Sequence, residues 1–218
     1  MKEEQLKADG ANSRTPKMVV SNGVDRFLAD GVLYFDDVAV KEQISVRKHQ
    51  SFEKAAPLLD RPVETVFFPY KDYKFKAYLR LPRGVDKAPV AILIGGLDTT
   101  KVDYRNVSDM LLARGVATFA FDGPGQGETA FFLRLTPHFE ETVSAAIDYL
   151  EKRPEIDAQR IGIVGRSLGG YFAPKAAAVD DRVSGPVTRM IWDDSGHCNH
   201  DRSHYARPAI ADFIVCNL

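Results

Sequence analysis

Cysteine is scarce in this chain: Cys198 and Cys216 are the only two in 218 residues. They follow no zinc-ligand or Cys-x-x-Cys spacing, and two thiols make no disulfide framework, so a reducing, cytoplasmic setting is the expectation. A charge of one sign is also missing. Lys and Arg number 29 and Asp and Glu 30, for a net charge of −1. That balance offers no general attraction to nucleic acid or to an anionic membrane. No apolar run is long enough to cross a bilayer, and the opening Met1-Lys-Glu-Glu-Gln-Leu-Lys lacks the apolar stretch of a secretory leader. Internal repeats and low-complexity tracts are absent as well. What remains is an ordinary globular composition, 44% hydrophobic and 27% charged, of a length that suits one core-forming domain.

Within that composition one stretch stands out. Ile161-Gly-Ile-Val-Gly165 is a short apolar strand, Arg166-Ser167 follow, and Leu168 to Ala178 reads as a helix of small residues. This is Gly-x-Ser-x-Gly in a strand–turn–helix setting. A turn that sharp needs small neighbours so that strand and helix can approach. It exposes the Ser167 hydroxyl at the strand's carboxyl end and aims the Leu168 N–H, at the new helix's N-terminus, at the place where an oxyanion would form.

The rest of the chain supplies a frame for that turn. Residues 1–17 are polar, and from Val19 to Leu59 there is no strand alternation. Apolar residues at Val24, Phe27 and Leu28, then Val38, Val40 and Ile44, predict two or three short helices broken near Gly31 and near His49, forming a cap or arm at 1–60 ahead of a core at 61–218. Val63–Phe68 and Tyr73–Leu79 alternate around Tyr70-Lys-Asp-Tyr73 and predict an antiparallel hairpin. Pro89–Ile94 and Val116–Phe121 are continuous apolar runs, the mark of strands covered on both faces. Helices are predicted at Val102–Arg114 and Phe139–Leu150. Strands alternating with helices give an α/β fold with a mostly parallel sheet flanked by helices.

In such sheets ligands sit at the carboxyl ends of the strands. There Gly95-Gly96-Leu97-Asp98 can bring backbone close, and the Leu97 N–H is the candidate second oxyanion donor. Asp122-Gly-Pro-Gly-Gln-Gly-Glu128 has the wrong spacing for a dinucleotide fingerprint and no Gly-Lys-Ser/Thr, so it reads as a tight loop at the rim of the site. His197, after an apolar strand expected at Val187–Trp192, is placed to act as general base to Ser167. His197, His200 and His204 lack a carboxylate or thiolate at ligand spacing, so no metal is expected. His49 and His138 have no comparable context.

Together these residues resemble the α/β-hydrolase superfamily and, within it, the branch that contains 2,6-dihydroxypseudooxynicotine hydrolase and esterase-like enzymes. The resemblance rests on Gly95–Lys101, Arg114–Glu128, Arg160–Tyr171, Gly196–Asn199 and Tyr205–Phe213, with Asn22–Asp37 as a helical cap segment. It implies a Ser-Asp-His triad, a helical cap, no metal or organic cofactor, and hydrolysis of esters or of C–C bonds in β-diketone-like small molecules. The spacing departs from that family. Only 30 positions separate Ser167 from His197, where the fold's intervening helices and strands need about 75 residues. The chain therefore reads as a sheet shortened by an internal deletion that removes the strand bearing the acid. Asp193 and Asp194 lie near His197 but not in the acid's place. A sheet lacking inner strands is expected to self-associate through its exposed margin. Two functions follow as alternatives: a hydrolase weakened by the missing acid, or an inactive hydrolase-fold remnant that serves as a binding protein.

Overall fold

The computed structural model describes residues 38–183, 185, 186, 188 and 202–218. The chain divides into two compact units, Met1–Lys48 and His49–Leu218; the second carries the sheet. Helix α1 spans Val38–Ala55 and passes through His49 without a break, against expectation. No Gly or Pro interrupts it, and it ends where Pro57 enters a short 3₁₀ turn, Ala56–Leu58. The expected break near Gly31 lies outside the described residues.

Strands β1 (Glu64–Tyr70) and β2 (Tyr73–Arg80) form the expected hairpin, paired from Glu64↔Leu79 to Tyr70↔Tyr73. Lys71 takes a left-handed φ of 53° in the turn. Strand β3 is Ala88–Ile94. A 3₁₀ turn at Lys101–Tyr104 leads into helix α2 (Arg105–Leu112), then β4 (Ala117–Phe121), a 3₁₀ turn at Gly127–Phe131 and helix α3 (Phe139–Leu150). Strand β5 (Ile156–Gly165) starts five residues before the apolar run at Ile161 that announced it; helices α4 (Gly169–Ala177) and α5 (Ser203–Asn217) complete the described chain.

The sheet order is β1-β2-β4-β3-β5, with β2 antiparallel to β4 and β3 parallel to both β4 and β5. All seven residues of β3 are buried because side chains alternate between two packed faces. Val90, Ile92 and Ile94 join Phe119, Phe121 and the α3–α4 residues Phe139, Ile147 and Phe172 on one face. Ala91 and Leu93 join Leu111 of α2 and Ile214 of α5 on the other. The apolar runs are therefore strands between two helical layers, and the carboxyl ends of β3, β4 and β5 meet at one edge of the sheet. Beyond β5, the described pairing is a single parallel bridge between Ile161 and Val183. The strand expected at Val187–Trp192 falls outside the described residues, apart from Thr188, which lies outside any strand.

Candidate active site

Backbone packing builds the site. Ser167 has φ 57°, a left-handed conformation that costs a non-glycine residue about 1–3 kcal/mol. Its neighbours over-determine it. A Cβ on Gly165 would stand 2.0 Å from the Gly169 carbonyl oxygen, and one on Gly169 would stand 2.3 Å from the Ile94 carbonyl oxygen. Strand β5, helix α4 and the end of β3 thus touch backbone to backbone. The Arg166 N–H donates to Ile94 O at 3.4 Å, and the Gly170 N–H to Ser167 O at 2.9 Å, closing the first turn of the helix around the serine. A Gly165→Ala substitution drives its methyl into backbone that cannot rotate away. It is expected to cost about 2–3 kcal/mol in urea unfolding and to lower the yield of folded protein.

The loop after β3 faces this turn. A Cβ on Gly96 would lie 2.8 Å from Ser167 Cβ and 3.2 Å from its Oγ. The Gly96 N–H donates to Thr99 Oγ1 at 2.6 Å. Among the described residues, neither the Leu97 nor the Leu168 N–H, the two expected oxyanion donors, has an acceptor. The Leu97 side chain is 63% exposed, as a loop at the sheet's edge requires. A cavity of about 700 Å³ opens beside β5, α4 and α5, with Ser167, Gly170, Val183 and Phe213 in its wall, a size suited to a small organic ligand. The structure therefore brings together Ser167, Leu97 and Leu168. His197, Asp193 and Asp194 lie outside the described residues.

The loop expected at the rim carries more than its glycines suggest. Asp122, at the end of β4, is fully buried and accepts from the Lys101 N–H at 2.7 Å and from Lys101 Nζ at 2.8 Å. The same ammonium is bonded to Glu128 and stands 3.1 Å from His49 Nε2. His49 Nε2 is itself 3.3 Å from Asp122 Oδ2. His49 thus has a context that its sequence neighbours did not announce. Burial, the largest single influence, would raise the Asp122 carboxyl, but the Lys101 charge and the hydrogen bonds from His49 and Lys101 together outweigh it and hold the group well below the ordinary carboxylate range. His49, Asp122 and Glu128 present ligand atoms within 4.8 Å of one another, a set that could hold a cation. The Lys101 ammonium already bonds to two of them, so the group is a buried ion network tying the loop after β3 to the loop after β4. Gln126, 1% exposed, adds a second tie: its Nε2 donates to Gly95 O at 2.7 Å and to Gly96 O at 3.1 Å. Sequence reasoning missed Lys101, Asp122 and Gln126 as site-shaping residues. The one available signal was that polar side chains stand at fixed places in otherwise glycine-rich loops.

The fold agrees with comparison to known proteins. A family model described as esterase FrsA-like matches residues 7–188. The chain belongs to this family of α/β-hydrolases. Among relatives of the FrsA-like chain, the 2,6-dihydropseudooxynicotine hydrolase of Paenarthrobacter nicotinovorans is 38% identical over 156 residues, covering 72% of this chain and 42% of that protein. The 20-hydroxy-prefusarin hydrolase of Gibberella moniliformis is 38% identical over 150 residues, covering 63% and 36%. The crystal structure of 2,6-dihydroxy-pseudo-oxynicotine hydrolase superposes with a TM-score of 0.64 at 38% identity, over 66% of this chain and 41% of that one. A dienelactone hydrolase from Anabaena variabilis shares the fold, with a TM-score of 0.50 at 23% identity over 58% and 62% of the two chains. The chain spans about two fifths of the length of the curated relatives it matches. Among the described residues no helix is long and apolar enough to cross a membrane.

Proposed function

We propose that this chain carries the nucleophilic centre of a hydrolase that cleaves esters, or C–C bonds of β-diketone-like small molecules. The observation that carries the reading is the strained Ser167 at φ 57°, held at a strand-to-helix junction whose Leu97 and Leu168 amides have no acceptor among the described residues. Strain of this kind persists where the surroundings enforce it, and it presents a hydroxyl rather than burying one. Ser167 Oγ attacks the substrate's carbonyl carbon. His197 takes the hydroxyl proton and returns it to the departing alkoxide or enolate. The Leu97 and Leu168 N–H groups receive the oxyanion that forms in between. Water then attacks the acyl-enzyme, His197 takes its proton, and the acid is released with Ser167 restored.

The triad acid has no assigned residue. In serine triads its loss lowers kcat by about 10⁴ while the oxyanion hole still operates, so turnover of simple esters is expected to be slow. A small-molecule substrate and a reducing compartment, where the exposed Cys216 thiol stays free, belong to the same reading. So does self-association along the outer margin of β5, where the described pairing is one bridge.

The second reading is an inactive hydrolase-fold remnant. The short span from Ser167 to His197 favours it. A fluorophosphonate probe separates the two, because it reacts with an activated serine and not with an ordinary one. Labelling confined to Ser167 by peptide mapping is the expected result. A sample folded by circular dichroism that takes no label would support the remnant instead.

A further inference from the structure

The amide assigned above to the oxyanion depends on how one peptide unit is turned, and a residue outside the nucleophile's own turn controls that. The Gly96 carbonyl and the Leu97 N–H belong to the same peptide, which is trans and planar. In a trans peptide these two groups point in opposite directions. Whatever holds the carbonyl therefore fixes the amide. Gln126 Nε2 holds it, donating to Gly96 O at 3.1 Å and to the preceding Gly95 O at 2.7 Å. The glutamine is held in turn: its Oε1 accepts from the Gly123 N–H at 3.2 Å, and its own N–H donates to Thr129 Oγ1 at 3.2 Å. Both ends of its side-chain amide are thus committed, and it is buried at 1% exposure. The far end of the same loop is held by the Lys101–Asp122 pair. The Gly96 N–H is spent on Thr99, and the Leu97 N–H that follows it has no acceptor among the described residues.

We propose that Gln126 is a positioning residue for the reaction: it orients the Gly96–Leu97 peptide so that the Leu97 N–H is presented to the developing oxyanion beside Ser167. The inference rests on the reading of Ser167 as nucleophile. It extends that reading to a residue 41 positions away in sequence, on a loop that touches no reacting atom. Catalysis depends on donors aimed in advance at the place where charge develops. A Leu97 amide free to swing would bind ground-state ester as before and stabilise the transition state less.

The test uses Gln126→Met, which keeps the length and loses the donors, and Gln126→Glu, which puts an acceptor against two carbonyl oxygens. Both are compared with the parent on a short-chain p-nitrophenyl ester, with rates expressed per site labelled by the fluorophosphonate. Removing an oxyanion donor outright costs about 10²–10³ in kcat, so misdirecting one is expected to cost about 10–10². KM is expected to hold within about twofold, and inhibition by a trifluoromethyl ketone, which mimics the tetrahedral adduct, to weaken in step with kcat. A merely structural role would lower the labelled fraction and leave kcat per labelled site and the ketone's potency unchanged; that result overturns the proposal. A second readout does not need turnover. In protein labelled with ¹⁵N-leucine, the Leu97 amide resonance is expected to broaden or shift in Gln126→Met. An unchanged Leu97 resonance would sink the positioning role even if the parent proved inactive. An inactive parent whose Leu97 amide responds to the substitution would sink the esterase reading alone.

Discussion

Ser167→Ala is expected to reduce hydrolysis of p-nitrophenyl acetate to the rate of the buffer, with circular dichroism and thermal midpoint close to those of the parent or slightly raised. The loss should be complete at the sensitivity of the assay because acyl transfer has no other nucleophile in this turn. The fate of stability is the more discriminating half of the expectation. Ser167 sits at φ 57°, and Ala accepts that angle no better than Ser, so backbone strain is unchanged. What changes is the loss of a hydroxyl held at a crowded junction, with Gly96 against its Cβ. If the turn stored the serine only as a helix cap, its removal would cost about 1 kcal/mol and leave any ester turnover untouched. Loss of rate without loss of stability marks the functional serine. Loss of stability without loss of rate marks the cap.

Lys101→Met is expected to cost about 3–5 kcal/mol, read as a lower urea midpoint with an unchanged slope. Lys101 is 1% exposed and Asp122 3%, so the substitution leaves a buried carboxylate without its cation. The cost should depend on pH in a set direction. In the parent, Asp122 is held below its ordinary range. Its contribution is therefore fully present above the unfolded carboxylate's pKa and is lost only as pH falls through the lower folded value. Without Lys101, burial acts on the carboxyl and raises it. In the variant, stability is then present when the group is protonated and lost as pH rises through the raised value. The gap between parent and variant should be widest near about pH 8 and narrow toward about pH 5. A double variant, Lys101→Met with Asp122→Asn, should recover part of the loss at pH 8 because the stranded charge is gone. A gap constant across that range would mean that the lysine acts by packing its stem under the Tyr78 ring, 5.3 Å from Nζ, rather than by its charge.

These two predictions draw on unequal parts of the sequence. The serine turn, β3, β4 and α3 could be read directly, because each rests on local pattern: a continuous apolar run for a strand covered on both faces, a 3.6 period for the helix, glycines where backbones must touch. The hairpin was legible for the same reason, down to the pairing of Tyr70 with Tyr73. Helix α1 was misread at His49 because the polar run Arg47-Lys-His-Gln-Ser51 interrupts the apolar spacing and looks like a break. The ring is in fact 2% exposed and lies in an ion network that local sequence does not display. Lys101 and Asp122 stand 21 positions apart and meet only because β3 and β4 are parallel neighbours with their loops on one side. A lysine following two threonines reads as surface until that pairing is known. Gln126 was hidden in the same way. Its partners are two backbone carbonyls, and no residue type signals a carbonyl. The start of β5 was placed too late for a smaller reason: Asp157 and Gln159 are polar positions at its amino end, and Ala88 pairs with Ile156 there only after an irregularity in register.

Strand β3 sits between β4 and β5, and both partners come later in the chain. Its amides and carbonyls bond to neighbours on two sides, while those of β1 have one strand neighbour among the described residues. Exchange of the β3 amide hydrogens with solvent therefore requires both junctions to part, which means opening most of the sheet. Those amides should exchange at the rate set by global unfolding, and the amides of β1 much earlier by local fraying. The slow-exchanging strand is also the one whose last residue, Ile94, receives the Arg166 N–H and meets Gly169. The turn that displays Ser167 is thus bolted to the last part of the protein to come undone, and it should keep its shape through every opening short of the whole.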